Sequence, residues 1–347
     1  MNIKQKIVGF FVACCSFAAV ANTSTVYFNG EILTMQGDSP QYVEALVVQN
    51  DRILFVGDKS QALTLAGSNS TLHDLKGTTL MPGFIDSWGH FTLVAQNTLG
   101  VNLGYFSKNP PNTKTQAINK LRTEGKPFNG WILSSGYSAA MLSDGGLSLA
   151  DLDKAFPDQP LLLQNISTLA GQLNTAGLKK LGITKDTKAV GGFISVDPKT
   201  GELTGELIGA PYMDAVARSA GKYSQAVTFD IFRKAEQIYL SNGFTTAQSY
   251  EATADAGIDM TLSAITKAIK ETGTTENRRT VISHSFFARD DQVKQYKEES
   301  AKGALAKGML ADLVILDRNP LKAIPDDIKN IEVLHTIKHG KRLYSKK

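Results

Sequence analysis

The sequence has little cysteine and no marked imbalance of charge, and each shortage narrows what the protein can be. Two cysteines occur in 347 residues, Cys14 and Cys15, and both fall in an N-terminal segment with the features of a removable leader. Met1–Lys6 is short and basic, with Lys4 and Lys6, and residues 7–20 form an apolar run. Ala19-Val20-Ala21 then places small residues at the −3 and −1 positions of a cleavage site. This is the pattern of a secretory signal peptide cut after Ala21, and the run is too short to span a bilayer. The rival, a lipid anchor at Cys14, would follow Phe11-Val12-Ala13, a poor lipobox. The expected product is therefore exported, periplasmic or secreted, and without thiols, which excludes disulfides and thiolate metal sites.

Charge is equally uninformative about polyanions. Thirty-seven Lys and Arg against 33 Asp and Glu give +4, which falls to +2 once Lys4 and Lys6 are removed. No basic cluster interleaves with aromatics, so nucleic acid is not an expected partner. No second long apolar stretch follows the leader, so no membrane association is expected after cleavage. A Gly-rich phosphate loop and a Ser-centred nucleophile elbow are also missing. Without cross-links the chain depends on a hydrophobic core, and its length suffices for one large domain and a small one.

What is present changes texture twice. Residues 22–80 contain short strand-like runs with turn dipeptides, Asn29-Gly30 in "TVYFNGEILTM" and Asn50-Asp51 in "VVQNDRILF", both hairpin signals. Residues 81–302 alternate strands with helices. The strand candidates are 80–91, 130–136, 160–166, 244–249 and 279–285. Helices are expected at 113–124, 149–155, 228–241, 258–272 and 290–299, the third stopping at Asn242-Gly243. Such alternation argues for a parallel sheet or barrel. Five strands, however, fall short of the eight that close a (β/α)₈ barrel. Residues 303–347 return to strands, with a turn at His339-Gly340. The expected fold class is α/β: an incomplete TIM-type barrel plus a small β-sandwich built from 22–80 and 303–347.

The chemistry centres on "LMPGFIDSWGHF", residues 80–91. On a strand, residues two apart face the same way, so positions 88 and 90 could offer two side chains to one ion. His90 has a lone pair to give; Trp88 has only an N–H donor. Asp86 and Ser87 are candidates for supporting or turn residues. His284, in "RRTVISHSFFAR", is expected at a strand end, while His73, His335 and His339 are expected at the surface. Asp255 is expected as a helix N-terminal cap, and Asp312 at the start of a strand in the small domain.

These stretches resemble the amidohydrolase superfamily, type-3 branch, which includes metal-dependent amide and formamide hydrolases and exoenzyme regulatory protein-like members. Further matches are "GYSAAMLSDGGLSLADLDKAFPDQPLLL", "LNTAGLKKLGI", "DPKTGELTGEL", "GFTTAQ", "DAGIDM", "ISHSFFARDDQ" and "KGMLADLVILDRNPL", in the family's order over nearly the whole mature chain. The resemblance implies a divalent metal, zinc, that activates water against a small-molecule amide, with an aspartate handling the proton. Carried over by position, Trp88 stands where the family has its first metal histidine and His90 matches the second. Leu169 replaces a histidine in "ISTLAGQLNTAGL", Glu251 occupies another histidine's place before "DAGIDM", and His284 matches a later one. The metal candidates are thus His90 and His284, with Glu251 as an oxygen ligand, and no catalytic residue is assigned. The family carries a long additional stretch between "GFTTAQSYEAT" and "ADAGIDM", and another before "AKGALAKGMLADL". The chain reads as internally shortened. Two functions stay open, an exported hydrolase and a non-catalytic periplasmic binding or regulatory protein or degenerate remnant, together with a homo-oligomer in which copies supply each other's missing strands.

Overall fold

The structure, a computed structural model, describes residues 24–86, 89–105, 107–249, 281–282 and 302–347. In chain order the first strands are β1 (Ser24–Leu33), β2 (Tyr42–Gln49), β3 (Arg52–Gly57), β4 (Thr71–Asp74), β5 (Thr79–Pro82) and β6 (Phe84–Asp86). Next come β7 (Val101–Asn102), β8 (Ile132–Tyr137), β9 (Leu161–Asn165), β10 (Ala170–Leu173), β11 (Gly192–Val196) and β12 (Leu203–Gly209). The last are β13 (Phe244–Ser249), β14 (Val281–Ile282), β15 (Leu313–Leu316), β16 (Val333–Lys338) and β17 (Lys341–Ser345). The helices are α1 (Lys59–Ala66), α2 (Phe91–Asn97), α3 (Lys114–Glu124), α4 (Leu149–Ala155), α5 (Thr175–Leu181), α6 (Ala210–Ala220) and α7 (Gln225–Ser241). The fold is mixed α/β, and no helix among the described residues is long and apolar enough to cross a membrane. The leader lies outside the described residues.

The chain divides into two compact units, Met1–Gly83 with Ser300–Leu343, and Phe84–Glu299 with Tyr344–Lys347. In the first, both chain ends enter one mixed sheet of order β17-β16-β15-β5-β1-β2-β3, with β4 paired to β1. β15 is buried along its length and lies between β5 and β16. A single apolar cluster joins Ile32, Leu46 and Leu80 to Leu313, Ile315 and Ile337. Asn50 and His339 adopt positive φ at two-residue turns, as their dipeptides predict. Asn29-Gly30 does not: β1 runs through it with a shift of register between Phe28 and Ile32, so the pair is a bulge and not a hairpin turn. A Cβ on Gly30 would lie 2.4 Å from the Thr78 carbonyl oxygen, so the bulge requires glycine there. Asp312 accepts the backbone N–H of His339 at 2.9 Å just before β15. His73, His335 and His339 are half-buried and not surface residues; His73 packs between Tyr27 and His335.

Among its described residues the second unit holds two sheets. One is a six-stranded mixed sheet of order β11-β12-β10-β9-β8-β7; the other has the parallel order β14-β13-β6. Among the described residues β8 pairs with β7 and β9, and β9 pairs with β10. Strand–helix alternation reports local crossovers, such as α4 between β8 and β9, and is blind to which sheet a strand joins. Helix starts are well written. Thr113, Ser148, Asn174 and Ser224 each accept a backbone N–H at the N-terminus of α3, α4, α5 and α7, the role these side chains favour.

Candidate functional site

Strand β6 ends at Asp86, whose carboxylate accepts a 2.8 Å hydrogen bond from the Tyr239 hydroxyl on α7. Beside it, β13 runs parallel, with Ala247 opposite Asp86. Rings lock the arrangement: Phe84 meets Phe244 at 5.8 Å, and Phe91 meets Tyr239 at 5.2 Å. Ala95 on α2 and Ile231 and Ala235 on α7 are buried together, holding α2 against α7.

His90 carries a β-bridge at the end of this segment. It occupies the N-cap position of α2, with φ −126° and ψ 66°, and its carbonyl accepts the Val94 N–H at 2.9 Å. Its side chain is exposed. Strand β6 is described to Asp86 and α2 from Phe91, and the expected two-apart pairing turns on Trp88. Trp88 lies outside the described residues, as do Glu251, Asp255 and His284. Among the described residues no three His, Cys, Asp or Glu side chains converge as a metal site. Leu169 is exposed, in the turn between β9 and β10.

His90 does border a cavity of about 320 Å³, the small end of ligand-site volumes. α2 contributes Gln96, β8 contributes Ser135, β9 contributes Gln164, the following turn contributes Thr168, and α6 contributes Tyr212. Period-two alternation explains the β9 wall. Leu161 and Leu163 enter one apolar core, whereas Leu162 and Gln164 border the cavity. Tyr212 is 1% exposed, and burial pushes its phenol above the usual tyrosine range. Gly171 makes room for it: a Cβ there would sit 2.6 Å from the Tyr212 ring. Sequence reading missed Ser135, Gln164 and Tyr212. The one signal available was the polar residue on the cavity-facing side of "LLLQN"; nothing in the sequence singled out Tyr212.

The chain is similar to several named proteins. It is 25% identical over 306 residues to YtcJ of Bacillus subtilis (strain 168), a candidate amidohydrolase, covering 86% of this chain and 57% of that one. It is 29% identical over 176 residues to the exoenzymes regulatory protein AepA of Pectobacterium carotovorum subsp. carotovorum, covering 49% and 37%. With the N-substituted formamide deformylase of Arthrobacter pascens the identity is 26% over 171 residues, covering 48% and 30%. The aligned parts span between about a third and three-fifths of these relatives' lengths. The sequence model of the amidohydrolase family matches residues 71–294 and 287–344. Those two matches take in most of the chain, which belongs to the amidohydrolase family.

Proposed function

We propose that this protein is an exported member of the family that binds a small amide-like molecule without hydrolysing it. Membership implies a divalent metal and small-molecule amide substrates. The described residues do not fit such an ion. Catalytic zinc takes three protein ligands and a water, and the carrying observation is that among the described residues no three His, Cys, Asp or Glu side chains converge to hold one. Trp88, at the first ligand position, has no lone pair to offer. Support for a shortened catalytic region comes from the family match, which breaks into two pieces overlapping at 287–294. The likeness to AepA, whose name is regulatory, is in keeping with binding in place of turnover.

The test is elemental analysis of the mature chain after incubation with zinc and dialysis, paired with an assay on an N-substituted formamide and an N-acyl amino acid. Metal well below one equivalent and no product are expected. His90→Ala is expected to change neither metal content nor melting temperature. Stoichiometric metal together with turnover would reverse the reading.

A further inference from the structure

His73 sits where strands from the two ends of the chain meet. It lies on β4 opposite Tyr27 of β1 in parallel register, with the two rings 5.1 Å apart. Its other ring neighbour is His335 of β16, edge-on at 6.1 Å. Among the described residues β4 pairs with β1, and β16 with β15 and β17. The imidazole contact therefore joins strands that share no ladder, and side chains hold the first unit together at that point.

The contact suits a neutral imidazole. Burial is the largest cause that lowers the His73 pKa from its ordinary 6.5, and the Arg342 guanidinium on β17 lowers it further. Asp74, next along β4, favours the proton. Its exposed carboxylate is already engaged, accepting N–H groups of Lys76 and Asn29 at 2.8 and 3.3 Å. Burial pushes the Tyr27 phenol up to about 12, against a downward pull from Arg342, so near pH 6 it is neutral and offers no anion. Its ring face can attract a cation, yet the net shift of His73 stays downward. A proton on His73 thus places a second positive charge near Arg342, partly out of water, against a ring from the opposite end of the chain. We propose that His73 is an acid-release clasp, whose protonation loosens β16 and β17 from β1 and β4. Because the folded value lies below the unfolded one, the unfolded chain takes up this proton first. The clasp's contribution is complete above about pH 6.5 and is lost as pH falls from there toward the folded value.

Hydrogen exchange of the mature protein at about pH 7 and pH 5, corrected for the intrinsic pH dependence of exchange, tests it. Backbone amides of β16 and β17 are expected to open at least about threefold more often at the lower pH, with those of β8 and β9 in the second unit unchanged. His73→Phe keeps a ring without a titrating nitrogen and is expected to abolish the difference. Arg342→Gln, at an exposed position, is expected to shrink it and to raise the midpoint of the His73 ring protons in an NMR titration. If the His73 variant does not fold, the Arg342 variant and the wild-type titration decide the matter. A His73 midpoint at or above 6.5 in the folded protein, equal opening of β16 at both pH values, or a difference that persists in His73→Phe would overturn the proposal. Equal acceleration in both units would do the same, since it reports general acid unfolding.

Discussion

Asn174 and Tyr212 are both buried and polar, and their energetics are expected to differ in sign. The Asn174 side chain is fully buried and completely used. Its Oδ1 accepts the N–H groups of Leu161 and Gly177 at 2.9 Å, and its Nδ2 donates to the carbonyls of Phe156 and Gln159 at 2.7 and 2.8 Å. Asn174→Ala would strand these partners and remove the cap of α5, so a loss of about 3 kcal/mol is expected. Urea denaturation reads it; an unchanged midpoint would mean that water replaces the side chain at no cost. Tyr212→Phe removes a hydroxyl that has no protein partner. The unliganded protein is therefore expected to gain about 1 kcal/mol, and a loss of that size would argue that the hydroxyl is satisfied by tightly held water. These two residues also mark the limits of sequence reading. Asn174 sits in a stretch, "LNTAGLKKLGI", that reads as a helix start because an Asn precedes it. Tyr212 matters only through what Gly171 and the strands opposite leave open, and no local pattern encodes that.

Among the elements, α4 is the most fully specified by its own residues. Ser148 and Asp151 form a reciprocal capping box, and Lys114 reaches Asp151 at 3.0 Å. The backbone N–H of Ser148 is the largest cause, followed by its hydroxyl and Lys114, that lowers the Asp151 carboxyl from 3.8 to about 2. Because the folded value lies below the unfolded one, the ionised carboxylate stabilises the fold above about pH 4, and this is lost as pH falls toward 2. A third of the side chain is exposed, so screening limits the gain. Asp151→Ala is expected to cost about 1 kcal/mol at pH 7 and progressively less at pH 3 and 2. Denaturation series at the three pH values check it, and a cost independent of pH would remove the carboxylate from the account. Elements defined by such local chemistry were legible: α3, α4, α7 and the turns at Asn50 and His339. Asn29-Gly30 was not, because the same dipeptide serves a hairpin turn and the bulge that β1 forms there. The partners of β8 and β9 were illegible for a related reason, since pairing is a property of two segments and alternation describes only one.

At the scale of the whole molecule, the first unit depends on residues more than 200 positions apart. β15 has every residue buried and is bonded on both sides, to β5 from residues 79–82 and to β16 from 333–338. The cluster around Ile32 and Leu80 is completed by Leu305, Leu313, Ile315 and Ile337. A chain ending at residue 302 would lose β15, β16 and β17 together, strip β5 to an unpaired edge and open that core to water. Each of these four large apolar side chains contributes about 1.5–3 kcal/mol when buried, so the loss is comparable with the whole stability of a typical domain, about 5–15 kcal/mol. The truncated chain is expected to aggregate or to melt without the transition of this unit, since an exposed edge with apolar faces also invites pairing with other chains. Circular dichroism melting and sedimentation of the 1–302 and full-length chains, both in mature form, would measure this. A monomeric truncation with an unchanged melting profile would mean that the N-terminal strands fold on their own and that the return of the chain to their sheet is dispensable.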